Sequence, residues 1–245
     1  MELLTPGVTR FGINETSFIV DIAFGNKRRP SDNEAFTIVK TTEFLNLYIG
    51  LSKKFRPRTI LELGVFQGGG FVFLDSVFKP NIMSAVELSS TPVAPLQEWL
   101  QARPSRTVHY GHSQTDAELL QRIVKTEFDG ALDMVVDDAS HCYEECRRSF
   151  EILFPRLSPG GYYVLEDWSW SHENRYQGEN APLADRHSLT NLIFDIVMLS
   201  GSTSWVEDLH LARLYAVVRK SLTPVQIPAD LWGSIKTRGK TLSRL

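Results

Sequence analysis

At 245 residues, with 42% apolar and 22% charged side chains, the chain is long enough to bury one large core and has the composition of an ordinary globular domain. Its formal net charge of −3, spread over both signs, gives no electrostatic reason to expect nucleic acid or a membrane surface as the partner. No apolar run reaches the roughly eighteen residues of a membrane span, and residues 1–10 lack a basic start followed by an apolar segment, so a cytoplasmic location is expected.

The first 56 residues hold a β-like run at 17–24, a polar stretch at 26–33 and a helical pattern from about 34 to 54, read together as a cap over an open sheet edge. From Arg58 onward, short β-rich runs alternate with helical patterns, the order that builds a parallel sheet with helices on both faces. A strand at 59–63 is broken by Gly64, a helix follows at 71–78, a strand at 82–86, a helix at 95–102 and a short strand at 107–110. Residues 116–126 place Leu119, Leu120, Ile123 and Val124 at amphipathic-helix spacing, and 132–136 is a fourth strand. A helix over 143–157 leads to the turn Ser158-Pro159-Gly160-Gly161 and a fifth strand at 162–165, followed by a long polar and aromatic loop over 168–182.

A helix at 188–199 precedes two strand patterns, 205–211 and 214–219, too close together for a crossover and so forming a hairpin. The fold class is therefore α/β, a doubly wound, mostly parallel seven-stranded sheet with an antiparallel strand from the C-terminal hairpin. Its core is expected over 57–220, after the cap at 1–56 and before a loosely packed, basic tail at 221–245.

Cys142 and Cys146 stand four apart in a helical segment, a poor arrangement for a disulfide, and with His141 they lack a fourth ligand at zinc spacing, so they read as free thiols. Asn14-Glu15-Thr16 is a glycosylation sequon without a secretory signal before it.

Three polar clusters fall at the carboxyl ends of strands, where open parallel sheets bind ligands. Ile60 to Gly70, ILELGVFQGGG, delivers Glu62 and Gly64 into a glycine-rich turn that matches neither the dinucleotide fingerprint nor the phosphate-loop lysine motif. Glu87 ends the second strand, where a carboxylate can accept hydrogen bonds from both hydroxyls of a ribose. Asp137 and Asp138 end the fourth strand with His141 after them, and Glu166 and Asp167 end the fifth, so up to four carboxylates crowd one edge, where like charges raise one another's pKa or need a cation between them.

E-L-G-x-x-x-G-G followed by an acidic second-strand end resembles the class I S-adenosylmethionine-dependent methyltransferases, with a Rossmann-like core, over about residues 58–219. The resemblance implies that Glu62, Gly64 and Gly68 lie by the methionine part of the cofactor, that Glu87 binds ribose, and that Ser113 and Gln114, in the turn after the third strand, border the adenine. D-D-x-S-H with P-G-G-Y-x-V-x-E-D is similar to magnesium-dependent sugar O-methyltransferases acting on macrolide and related glycosides, grouped by sequence with the cephalosporin hydroxylases. That narrower resemblance implies Asp138, Glu166 and Asp167 as Mg2+ ligands and His141 as general base. Asp137 is left as a cofactor-side or structural neighbour.

Trp168, Trp170, His172 and Tyr176 in the long loop, with Tyr143, are candidates for stacking on a sugar ring. The partner expected is a small-molecule or oligosaccharide acceptor, on a protein working as a homo-oligomer. Methylation of a catechol or other vicinal diol stays open beside the sugar reading, as does a catalytically silent S-adenosylmethionine-binding protein.

Overall fold

The computed structural model describes residues 2–23 and 27–239. The chain divides into two compact units, Met1–Asp116 and Ala117–Leu245.

The first unit opens with strands β1 (Arg10–Ile13) and β2 (Thr16–Val20), antiparallel, and β3 (Phe36–Ile38), parallel to β2. Helix α1 (Thr42–Ser52) follows. The helix expected from 34 is thus shorter, because Phe36, Thr37 and Ile38 are drawn into the small sheet by pairing with Phe18 to Val20. Of the β-like run at 17–24 and the polar stretch at 26–33, residues 24 and 26 lie outside the described residues.

Strand β4 (Thr59–Leu63) has every side chain buried, and β5 (Ile82–Glu87) and β6 (Arg106–Tyr110) pair parallel in the order β4-β5-β6. Between them run α2 (Gly69–Phe78) and α3 (Ala94–Gln101), the latter started by Pro95, whose fixed φ suits a first turn. The N-terminal sheet packs on helix α2, where an edge cap was expected: Phe18 stacks on Phe11 at 5.2 Å and meets Phe73 edge-on at 6.1 Å, and Tyr48 of α1 meets the same Phe73 at 6.5 Å.

The second unit opens with α4 (Ala117–Arg122), which widens into a π-helical turn over Ile123–Glu127 and leads to β7 (Leu132–Asp137). Helix α5 (Tyr143–Leu153) buries Cys146, Ser149, Phe150 and Leu153 at three-to-four spacing and tightens into a 3-10 turn, Phe154–Arg156, ahead of the expected end at 157 because Pro155 cannot continue an α-helix.

Strand β8 (Leu157–Glu166) holds a correction: Ser158 to Gly161 is no turn but part of the strand. Its register against β7 jumps from Leu132↔Leu157 to Met134↔Tyr162, so the extra residues form a bulge in which Gly160 takes φ +75°. Helix α6 (Thr190–Ser202) precedes β9 (Val206–Leu211) and β10 (Tyr215–Lys220), an antiparallel hairpin whose second strand pairs antiparallel with β8.

The seven strands are ordered β6-β5-β4-β7-β8-β10-β9. Within the tail, Leu231 is fully buried and Trp232 stacks on Phe150 at 5.7 Å, so the tail is anchored there rather than loose. Among the described residues no helix is long and apolar enough to cross a membrane.

Candidate active site

In the first unit, β4 ends at Gly64, whose φ of +87° turns the chain, and Gly68, φ +82°, leads into α2. Glu87, at the carboxyl end of β5, is tied to this turn: Oε2 accepts the N–H groups of Val65 (2.9 Å) and Phe66 (3.0 Å), and Oε1 accepts that of Ser89 (2.8 Å). Glu62 is buried, and a Cβ placed on Gly70 would come within 2.8 Å of its Oε1. Gly70 thus makes room for the Glu62 carboxylate beside the glycine turn; an acid there fits the ammonium end of S-adenosylmethionine, and Glu87 stands at the strand end where a ribose would lie. Gln114 is also buried; the hydroxyl of Ser113 accepts from Thr115 N at 3.1 Å in a local turn.

In the second unit, β7 and β8 run parallel to Asp137↔Leu165 and release both acidic segments side by side. Asp138, His141 and Asp167 each present a ligand atom, all within 4.8 Å of one another, and His141 Nε2 stands 3.6 Å from Asp138 Oδ1. His141 and Asp167 both hold left-handed backbone, φ +54° and +52°. Such conformations persist where surrounding structure enforces them, and they cluster at functional sites.

Opposite ligands of an octahedral magnesium ion stand roughly 4.2 Å apart. Within this 4.8 Å group the two carboxylates are the oxygen donors a hard divalent cation takes, whereas the imidazole is a ligand type that suits softer metals. The grouping differs from the one expected: His141 occupies it, and Glu166 does not. Glu166 is the last residue of β8 and only 1% exposed, whereas the left-handed turn at Asp167 brings that carboxylate to the cluster.

For Asp137, the sequence left a cofactor-side and a structural role open. Its Oδ2 accepts from Tyr163 Oη (2.7 Å) and Ser149 Oγ (2.8 Å), both buried, the arrangement of the structural alternative. Burial pushes Asp137 above the usual carboxylate range and Tyr163 well above the usual phenol range.

Three of the aromatic candidates are committed elsewhere. Tyr143 donates to Asp195 Oδ2 at 2.8 Å and is pushed up to about 12, chiefly by burial and then by that carboxylate. Trp168 Nε1 donates to Ala212 O at 2.8 Å, and His172 Nε2 lies 2.7 Å from Thr190 Oγ1. Trp170 and Tyr176, in edge contact at 4.8 Å, instead line a cavity of about 790 Å³ together with Asn180, Asp185 and Arg186. Trp170 also donates to the His141 carbonyl at 2.6 Å, so one side chain joins the cavity wall to the acidic cluster.

The sequence reading missed Arg186, which pairs with Glu145, and Asp195; no spacing signal links either to the motifs.

Residues 61–168 match a family model described as a methyltransferase domain. The mycinamicin VI 2''-O-methyltransferase of Micromonospora griseorubida is 42% identical over 69 residues, 28% of this chain and 17% of that protein. The L-olivosyl-oleandolide 3-O-methyltransferase of Streptomyces antibioticus is 40% identical over 65 residues, 26% of this chain and 16% of that protein. Among solved structures, MycE methyltransferase from the mycinamycin biosynthetic pathway, in complex with Mg and SAH, superposes with a TM-score of 0.54 at 25% identity. That superposition covers 74% of this chain and 49% of MycE, so the chain spans about half the length of that neighbour. A putative caffeoyl-CoA O-methyltransferase from Staphylococcus aureus, TM-score 0.55 at 15% identity, shares the fold over 76% of this chain.

Proposed function

We propose that this chain, whose residues 61–168 match a methyltransferase domain, is an S-adenosylmethionine-dependent O-methyltransferase acting on a sugar hydroxyl of a small-molecule or oligosaccharide acceptor. The observation that carries the reading is the Asp138, His141, Asp167 cluster joined through Trp170 to an open cavity. The names of the relatives, a mycinamicin VI 2''-O-methyltransferase and an L-olivosyl-oleandolide 3-O-methyltransferase, support a deoxysugar on a natural product as the acceptor; a mannose unit of a methylated polysaccharide is the other acceptor of the class, without support from those names.

When bound, S-adenosylmethionine would supply an electrophilic methyl group, and Mg2+ would lower the pKa of an acceptor hydroxyl and fix its direction. Glu62, Gly64, Gly68 and Glu87 would hold the cofactor, with Gln114 at the adenine edge. Asp138 and Asp167 would hold the ion, and the sequence resemblance adds Glu166. His141 accepts the hydroxyl proton, its Nε2 standing 3.6 Å from Asp138 Oδ1 at the edge of the ion site. The ring faces of Trp170 and Tyr176 suit the apolar face of a sugar, and the polar rim at Asn180, Asp185 and Arg186 suits its hydroxyls.

The test is turnover of labelled S-adenosylmethionine on a panel of glycosides and catechols. Transfer to a glycoside that stops in EDTA and returns with Mg2+ is expected, with His141→Ala slower by about 10²- to 10⁴-fold. Turnover that survives EDTA, or His141→Ala at the parent rate, overturns the mechanism, and transfer to catechols alone overturns the acceptor class.

A further inference from the structure

Resting on the ion and acceptor readings above, we infer that Trp170 is the positioning residue of this site. Its two N–H groups tie the loop that carries His141 to the loop that carries Asp167, while its ring walls the cavity.

The acidic cluster is assembled from two separate loops, Asp138 and His141 following β7 and Asp167 following β8. Among the described residues the pairing of these strands ends at Asp137↔Leu165, so the ladder stops short of the cluster. Trp170 spans the gap. Its backbone N–H donates to the Asp167 carbonyl at 3.2 Å, closing the turn after β8, and its indole Nε1 donates to the His141 carbonyl at 2.6 Å.

Those two carbonyls belong to the members of the cluster that hold left-handed backbone, φ +52° at Asp167 and +54° at His141. A residue other than glycine is strained there and stays only where its surroundings fix it. The direction of a carbonyl is set by ψ of its own residue, so a hydrogen bond to it fixes that torsion and with it the point from which the side chain departs. The loops also meet through Ser188, which bridges to Cys142 and whose hydroxyl meets that of Ser171, but neither contact reaches the carbonyl of a left-handed residue.

Phenylalanine would fill the same space without offering a donor. Trp170 is only 9% exposed, and the partner of its buried N–H is the peptide of the proposed base itself. Its ring meets Tyr176 edge-on at 4.8 Å in the wall of the cavity. An acceptor seated on that ring is therefore placed by the same rigid group that places His141, and orientation of this kind is where a small displacement costs most in rate.

Trp170→Phe keeps a ring and removes the indole N–H. In the full chain, with labelled S-adenosylmethionine and a glycoside from the panel above, kcat should fall about ten- to a hundred-fold with the acceptor KM little changed. Calorimetric titration with Mg2+ should show binding weakened about three- to tenfold, the range of one hydrogen bond, while titration with S-adenosylhomocysteine matches the parent. Trp170→Ala, which removes the ring as well, should raise the acceptor KM in addition. Should Trp170→Phe not fold, benzothienylalanine at position 170, which keeps the indole shape with sulfur in place of the N–H, is read the same way. Parent kcat and parent Mg2+ affinity without the N–H overturn the positioning role, even if the melting temperature drops. An equal loss of S-adenosylhomocysteine binding means general damage and overturns it too. A parent that neither methylates a glycoside nor binds Mg2+ overturns the ion and acceptor readings themselves, and the role of Trp170 with them.

Discussion

Lys220 ends β10 with its side chain buried and its ammonium donating to the carbonyls of Pro155 (2.7 Å) and Leu157 (2.6 Å). Burial pulls it from 10.5 down to about 8. A lysine whose pKa falls on folding is charged at a cost in the native state below about 8, and that cost fades as pH rises toward 10.5, where the unfolded chain also loses the proton. The denaturation midpoint should therefore rise between pH 8 and 9.5 in the parent relative to Lys220→Met, with parallel pH profiles as the contrary outcome. Single residues were legible in the sequence where chemistry and strand ends coincide, as at Asp138, His141 and Asp167. They were illegible where a distant partner decides: Tyr143 lies two residues after His141 and looks acceptor-facing, but Asp195 claims its hydroxyl across 52 positions.

The three glycines that open α2 show how an element combines separate demands. Gly68 needs its left-handed φ of +82°, Gly70 leaves room for Glu62, and Gly69 answers to the fold alone: a Cβ there would come within 2.1 Å of the Thr37 carbonyl oxygen of β3. Read as sequence, all three glycines suggest a backbone close to a ligand. One of them is in fact required because β3 lies directly on the helix start, and β3 is three residues long, too short for a period to announce it. Gly69→Ala should destabilise by about 3 kcal/mol or more, since backbone rather than a movable side chain must give way. Gly50→Ala in α1, where an added Cβ meets nothing within 4 Å, should stabilise by about 0.5–1 kcal/mol. Thermal melting of the two variants checks both signs; a Gly69→Ala melt at the parent temperature would contradict the contact. The bulge in β8 was misread for a similar reason, because Pro and two glycines mark a turn in isolation and a local kink when a neighbouring strand continues the pairing.

At the scale of the whole chain, the alternation of strands and helices was enough to show a mostly parallel sheet with a closing hairpin, because parallel strands demand crossovers and the hairpin does not; the strand order is seen only in the structure. The proposed ligand groups then divide by unit: Glu62, Gly64, Gly68 and Glu87 belong to Met1–Asp116, and Asp138, His141 and Asp167 to Ala117–Leu245. Binding to the folded chain alone stabilises by about 2.7 kcal/mol at a hundredfold excess over Kd. In a chain of 245 residues each kcal/mol raises Tm by about 2–4 °C, so saturating S-adenosylhomocysteine should raise it by about 5–10 °C. Because the two ligand sets share no side chain, this rise should persist in EDTA and in Asp167→Asn. A further rise on adding Mg2+ should appear in the parent and vanish in Asp167→Asn. Scanning calorimetry distinguishes the cases: a S-adenosylhomocysteine shift abolished by Asp167→Asn would mean that the carboxylates of the second unit hold the cofactor as well as the ion.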